Sequence, residues 1–189
     1  MNVLVVFADS PYKGSTFRER DLTETELLAA VVKADEGALR ELYDRYYPRL
    51  ARFLVRITTD DDLVAEIIND TFFVVWQKAA GFRGDASPST WIIGICYRQA
   101  MKALARRGSF EPLPEIEPSS NASALDSRLN LNRAIARLKP KQRAVVVLTY
   151  QFGYSYREIA EIVHCPENTV KTRMHHARRA LQKLMEAAP

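Results

Sequence analysis

The sequence predicts an all-α protein built as two small helical domains joined by a flexible acidic linker, the C-terminal one containing a helix-turn-helix. Apolar residues recur at three- and four-residue steps on both sides of a central polar stretch, which is the helical period. That stretch, Gly108 to Ser127, holds three prolines, five serines, four acids and no base. It has the composition of a tether rather than of a packed element. Strand signals are weak except in Val3 to Phe7, a run too short to separate a strand from a tail. The resulting boundaries are an N-terminal extension over 1–22, a helical domain over 23–107, a linker over 108–127 and a second helical domain over 128–189.

In the first domain, Leu39, Leu42, Tyr43, Tyr46 and Tyr47, then Leu50, Phe53 and Leu54, form one apolar stripe, with Pro48 expected to bend or restart the helix. A second helix carries Leu63, Val64, Ile67, Ile68, Thr71, Phe72 and Val75 on one face and leaves Asp62, Glu66, Asn69 and Asp70 on or near the other. Its Asp60-Asp61-Asp62 start suits the positive end of a helix dipole. A polar loop over Gly81 to Ser89 precedes a third helix, for which Ser87-Pro88 supplies an N-cap and first position and Arg106-Arg107-Gly108 a C-terminal signature. Trp91 opens the apolar face of this helix, where core packing is the simpler reading and base contact the alternative. Cys96 reads as a small core residue.

In the second domain, Leu131 to Leu138 forms one helix stopped near Pro140, and Lys141 to Tyr150 starts another. Beyond Gly153, Ser155-Tyr156-Arg157-Glu158 is a capping box for a short helix through Val163. His164 to Glu167 makes a turn, and a long helix follows from about Pro166 to Glu186. Short helix, tight turn and basic second helix is the helix-turn-helix pattern. Ile159, Ala160, Val163, Val170 and Met174 are spaced to close its core. The second helix then presents Glu167, Asn168, Thr169, Lys171, Thr172, Arg173, His175, His176, Arg178 and Arg179 outside that core. Polar groups near its start can reach base edges, and the later bases can neutralise phosphates, although a solvated helical face would read the same way.

Charge distribution supports a polyanionic partner at one end only. Residues 128–189 carry twelve Lys and Arg against four Asp and Glu, whereas residues 1–127 carry fifteen against nineteen. With 189 residues, 47% hydrophobic and 26% charged, the chain is neither globally disordered nor fibrous. Its apolar runs fall well short of the ~18 residues of a membrane span. No Lys or Arg precedes the short run Val3 to Ala8, so no export signal is expected. Only Cys96 and Cys165 are present, which fits a reducing, cytoplasmic location. The spacing of His164, Cys165, His175 and His176 does not match a zinc signature, so neither metal nor cofactor is expected. There is no glycine-rich phosphate loop, nucleophile elbow or metalloprotease helix, and an enzyme is not expected.

The run from Tyr154 to Glu161 and from Thr169 to Leu181, with Leu138 to Arg143 upstream, resembles region 4 of bacterial sigma factors of the extracytoplasmic-function group. Asp62 to Phe72, with Trp76 beyond, is similar to sigma region 2.2, the helix that docks on the clamp of RNA polymerase. Phe82-Arg83-Gly84, Ser89 to Ile93 and the basic end Lys102 to Arg107 resemble the loop and helix that melt and read the upstream half of the promoter bubble.

This resemblance implies a promoter-specificity subunit of core RNA polymerase, commonly held inactive by an anti-sigma factor, with promoter DNA as its other partner and no membrane insertion. It implies polymerase contacts at Asp62, Glu66, Asn69, Asp70 and Gln77. Contacts to the melted element are implied at Arg83, Ser89, Thr90, Trp91, Arg98, Lys102, Arg106 and Arg107. The residues presented by the second helix of the helix-turn-helix would read the upstream element. The acidic linker resembles the segment that threads through polymerase toward the RNA exit path. Two other readings stay open: a helix-turn-helix regulator that binds duplex DNA alone, and a sigma-like protein that binds polymerase without opening promoters.

Overall fold

The structure is a computed structural model that describes residues 22–108 and 131–186. The extension before residue 22, with its candidate strand, and the linker between 108 and 131 lie outside the described residues. Among those described there are helices and no strand, in agreement with the all-α expectation.

Helix α1 (Glu24–Val32) begins with a reciprocal cap. The Glu26 N–H donates to Thr23 Oγ1 at 3.3 Å and the Thr23 N–H to Glu26 Oε2 at 2.8 Å. Helix α2 (Glu36–Leu54) is capped by Asp35, whose carboxylate accepts from the Ala38 N–H at 3.0 Å. It runs through Pro48 as a single helix, so of the bend or restart expected there the restart does not occur. Proline removes one backbone bond and crowds the preceding turn, at a cost of about 3 kcal/mol. Leu42 and Tyr46 before it and Leu50 and Phe53 after it are all buried on one stripe. At roughly 1.5–3 kcal/mol per buried side chain, that stripe outweighs the defect.

Helix α3 (Asp61–Lys78) is capped by Asp60, which accepts from the Leu63 N–H at 2.9 Å. It buries the seven residues that its periodicity selects, and the one polar member, Thr71, donates its hydroxyl to the Ile67 carbonyl at 2.7 Å. A 3-10 turn (Ala79–Gly81) leads to helix α4 (Pro88–Arg107). Ser87 Oγ accepts from the Thr90 N–H at 3.1 Å, and Gly108 closes the helix in the left-handed region at φ +66°. Helices α1 to α4 pack as one group, with α3 along α4 and α1 against α2.

After a helical stretch over 131–136, helix α5 (Pro140–Tyr150) takes proline at its start, where the missing N–H has no partner to lose. Arg143 on α5 is only 2% exposed. Its Nη2 donates to the Leu138 carbonyl at 3.2 Å, while Nε and Nη1 have no partner among the described residues, and burial pulls its pKa down to about 10. Helix α6 (Tyr156–Val163) has the Ser155–Glu158 capping box that its sequence announces. His164 ends it in the left-handed conformation at φ 50°, and helix α7 (Glu167–Glu186) follows. Helices α5, α6 and α7 pack on one another, and α6 also lies against α4, so that both groups share one continuous apolar core.

Candidate nucleic-acid interface

Helices α6 and α7 form the helix-turn-helix. Ile159 and Val163 from α6 and Val170, Met174 and Ala177 from α7 are buried, while Ala160 is partly buried. This fixes which side of α7 faces out. Glu167, Asn168, Lys171, Thr172, His175, His176, Arg178 and Arg179 are exposed, and Thr169 and Arg173 are half-buried. Lys171 pairs with Glu167 at 2.8 Å, one turn back, and the Thr172 hydroxyl donates to the Asn168 carbonyl at 2.9 Å. Arg178 donates through Nη2 to the Tyr150 hydroxyl at 2.8 Å, which steadies its guanidinium on the outer face. The His175 and His176 rings stand 5.8 Å apart, and no group of three metal-ligating side chains comes together among the described residues.

The residues assigned to a melted element are spread over the start, middle and end of α4 and the loop before it. Arg83 is exposed and pairs with Asp85 at 3.1 Å. Thr90 is 3% exposed, so the structure places it beneath the surface next to the Ser87 cap. The Ser89 oxygen lies 2.6 Å from the Tyr154 hydroxyl, and is therefore occupied by the C-terminal part of the chain. Trp91 is half-buried, 5.3 Å from the Phe82 ring, which combines the packing and accessible readings of this residue. Together with Gln77, Lys78, Arg98 and Gln99 it lines an open cavity of about 470 Å³ between α3 and α4. Lys102, Arg106 and Arg107 are exposed along the end of α4.

On α3, Asp62, Glu66, Asp70 and Gln77 are exposed, whereas Asn69 is half-buried and accepts from the Tyr43 hydroxyl at 3.3 Å. Glu66 accepts from Arg106 and from Arg107, each at 3.4 Å, and Arg107 also pairs with Asp60. The end of α4 and the outer face of α3 are thus one electrostatic surface, although the sequence resemblance assigns them to different partners. Phe73, 43% exposed on the same helix, is a surface residue that the sequence reading misses. It sits outside the seven-residue apolar stripe, and an aromatic beside acids on the outer face is the signal that points to it.

A helical protein with a helix-turn-helix, a basic outer face on its second helix and a separate acidic helix surface is of the class that joins DNA to a protein partner. Comparison with known proteins narrows the class. Residues 42–110 match the family model for sigma-70 region 2, and residues 128–181 that for sigma-70 region 4. The ECF RNA polymerase sigma factor SigM of Mycobacterium tuberculosis is 32% identical over 169 residues, covering 86% of this chain and 85% of that protein. The ECF RNA polymerase sigma-E factor of Escherichia coli is 26% identical over 183 residues, covering 87% and 95%. In fold, the chain is similar to CnrH in complex with the cytosolic domain of CnrY, with TM-score 0.66, 22% identity and coverage of 88% and 99%. It is also similar to the sigma factor RpoE bound to the anti-sigma factor NepR from Bartonella quintana, with TM-score 0.61, 23% identity and coverage of 79% and 98%. The chain belongs to the ECF RNA polymerase sigma factors, transcription initiation factors that bring core polymerase to promoters.

Proposed function

We propose that α7 reads the upstream promoter element, that the α3–α4 surface docks on polymerase and captures the melted element, and that the protein itself catalyses no reaction. The observation that carries the reading is the orientation of α7. Val170, Met174 and Ala177 turn inward, which leaves Asn168, Lys171, Thr172 and His175 facing out near its start and Arg178 and Arg179 one to two turns later. The early positions suit base edges and the later arginines suit phosphates. At the other element, an unstacked base enters the cavity beside Trp91, where the indole offers a stacking face and Gln77, Gln99 and Arg98 offer polar groups. Asp62, Glu66, Asp70 and Gln77 form the polymerase contact, with Asn69 contributing from its half-buried position.

Polymerase works in the cytoplasm, and among the described residues no helix is long and apolar enough to cross a membrane. One of the similar structures, that of RpoE with NepR, holds a sigma factor bound to an anti-sigma factor, which supports such a factor as a further partner of this chain. The test is transcription of a genomic DNA library by core polymerase with and without the protein, followed by sequencing of RNA 5′ ends. New start sites that share two spaced upstream motifs are expected. Polymerase binding without new start sites would replace promoter opening with the polymerase-only reading.

A further inference from the structure

Tyr150, the last residue of α5, stands apart from the apolar packing of its helix. Val145 to Leu148 just before it are buried, whereas Tyr150 is 63% exposed. Its hydroxyl is joined to α7, which packs on α5, through the 2.8 Å hydrogen bond from Arg178 Nη2. A guanidinium has donors and no acceptor, so the phenol oxygen accepts in this pair and its own proton is left to point elsewhere. Among the described residues, no acceptor takes that proton and no carboxylate pairs with Arg178. Lys171 on the same helix differs, since it is paired with Glu167.

Two helices therefore place an N–H and an O–H donor side by side on an exposed surface with no acceptor of their own. The arginine charge polarises the phenol O–H and strengthens it as a donor. Such a pair suits one anionic oxygen group, because hydrogen bonds to phosphate from a charged donor are short and strong, and tyrosine hydroxyls belong to the phosphate-contacting set. Position along the helix selects the anion. Arg178 follows Asn168 by ten residues, which at 1.5 Å per residue is about 15 Å along α7. The major groove is about 12 Å wide. With the start of α7 at the base edges, Arg178 and Tyr150 fall at the rim of the groove, where the sugar–phosphate chain runs.

We propose that Tyr150 is a further promoter-contact residue, its hydroxyl and the Arg178 guanidinium together holding one backbone phosphate at the edge of the upstream element. This rests on the assignment of α7 to that element. Tyr150 has a second role in the same contact, because its oxygen fixes the direction of the long Arg178 side chain before DNA arrives. The ordering cost of the arginine is thus met in the free protein rather than on binding.

The test measures binding of the polymerase complex to duplex DNA that carries the motifs found by 5′-end sequencing. Tyr150→Phe removes only the hydroxyl, and thermal unfolding followed by circular dichroism checks that the fold is retained. It is expected to weaken binding about threefold to tenfold, the range for one net hydrogen bond. The salt slope should stay unchanged, because a neutral phenol exchanges with no counterion, while Arg178→Ala lowers the slope by about one unit. Added to Arg178→Ala, Tyr150→Phe should cost nothing further. On duplexes with single methylphosphonate replacements along the upstream element, one replacement should abolish the effect of Tyr150→Phe and the others should leave it. Wild-type affinity in Tyr150→Phe overturns the proposal, as does a loss that persists beside Arg178→Ala or on every methylphosphonate duplex. Lys171→Ala separates the two levels: weakened binding there with none in Tyr150→Phe removes the tyrosine contact alone, whereas wild-type binding in both removes the assignment of α7 as well.

Discussion

Cys96 is fully buried in α4, and that burial pushes its thiol up to about 12, the Thr71 hydroxyl acting in the opposite direction. A thiol reagent at pH 8 should therefore modify the half-buried Cys165 and leave Cys96 untouched until the chain unfolds. Mass spectrometry of the labelled protein checks this, and equal labelling of both cysteines would contradict the buried placement. Ser155 and Glu158 provide a second residue-scale expectation. Removing the capping hydroxyl by Ser155→Ala should cost about 1 kcal/mol, read from urea unfolding. The Ser155 hydroxyl, and then the Ser155 backbone N–H, hold the Glu158 carboxyl below its ordinary value. A lowered folded pKa contributes stability that is present above the unfolded value of about 4.3 and lost as pH falls through the folded one. The difference between wild type and Ser155→Ala should accordingly shrink in acid; a difference that is constant from neutral pH to about pH 3 would show that the carboxylate plays no part.

For helix α7, amphipathicity separates structural from functional positions. Met174, 2% exposed, should cost 2–5 kcal/mol on truncation to alanine, through reduced burial and the cavity left behind. The double variant Arg178→Ala, Arg179→Ala lies on the exposed face and should leave the unfolding midpoint nearly unchanged. It should weaken promoter binding by the polymerase complex and lower its salt slope by about one unit for each phosphate that is no longer neutralised. Salt titration decides this, because an unchanged slope removes both residues from the phosphate-binding set. On α3, Glu66→Ala also removes the carboxylate from Arg106 and leaves Arg107 with Asp60, but exposed ion pairs of this kind contribute only about 0–1 kcal/mol. Reduced polymerase affinity with an intact unfolding midpoint is therefore expected for Glu66→Ala and for Asp70→Ala. A pull-down in which both retain wild-type affinity would move the docking surface elsewhere.

At the scale of the whole molecule, the charge asymmetry and the seam where α6 packs on α4 depend on different forces. The basic C-terminal helices are drawn to DNA over distances set by ionic strength, while the seam is held by aromatic packing, a phenol hydrogen-bond network and backbone contact at Gly94. High salt should therefore weaken DNA association far more than it loosens the seam. Scattering from the free chain that barely changes as salt rises, beside promoter binding that falls steeply, is the expected pair of results. A chain that swells markedly with salt would indicate that charge rather than packing holds the two parts together.

Much of this protein is legible in its sequence because the local signals agree with one another. Ser87-Pro88, Asp60, the Ser155–Glu158 box and Gly108 mark helix ends through chemistry that needs only neighbouring residues, and the structure places caps at each. Thr23 and Glu26 carry the same type of signal, although they stand ahead of the first strong apolar stripe. Pro48 leaves a restart of the helix open, because its local penalty is real and only the burial on either side of it decides that the helix continues. The stripes of α3 and α7 already determine which residues face inward, since a helix of 3.6 residues per turn has one way to bury a given set. The tertiary structure decided what the outward and leftover residues meet. Ile162 and Gly94 come together 68 positions apart, Ser89 finds Tyr154, Glu66 finds Arg106 and Arg107, and Arg173 turns toward Tyr97. No periodicity encodes such pairs, because they depend on how two groups of helices lie against each other. The sequence by itself determined the helices, their caps and the helix-turn-helix; which of the residues proposed to read promoter DNA meet the rest of the protein, as Ser89 and Arg173 do, followed only from how the two groups of helices pack.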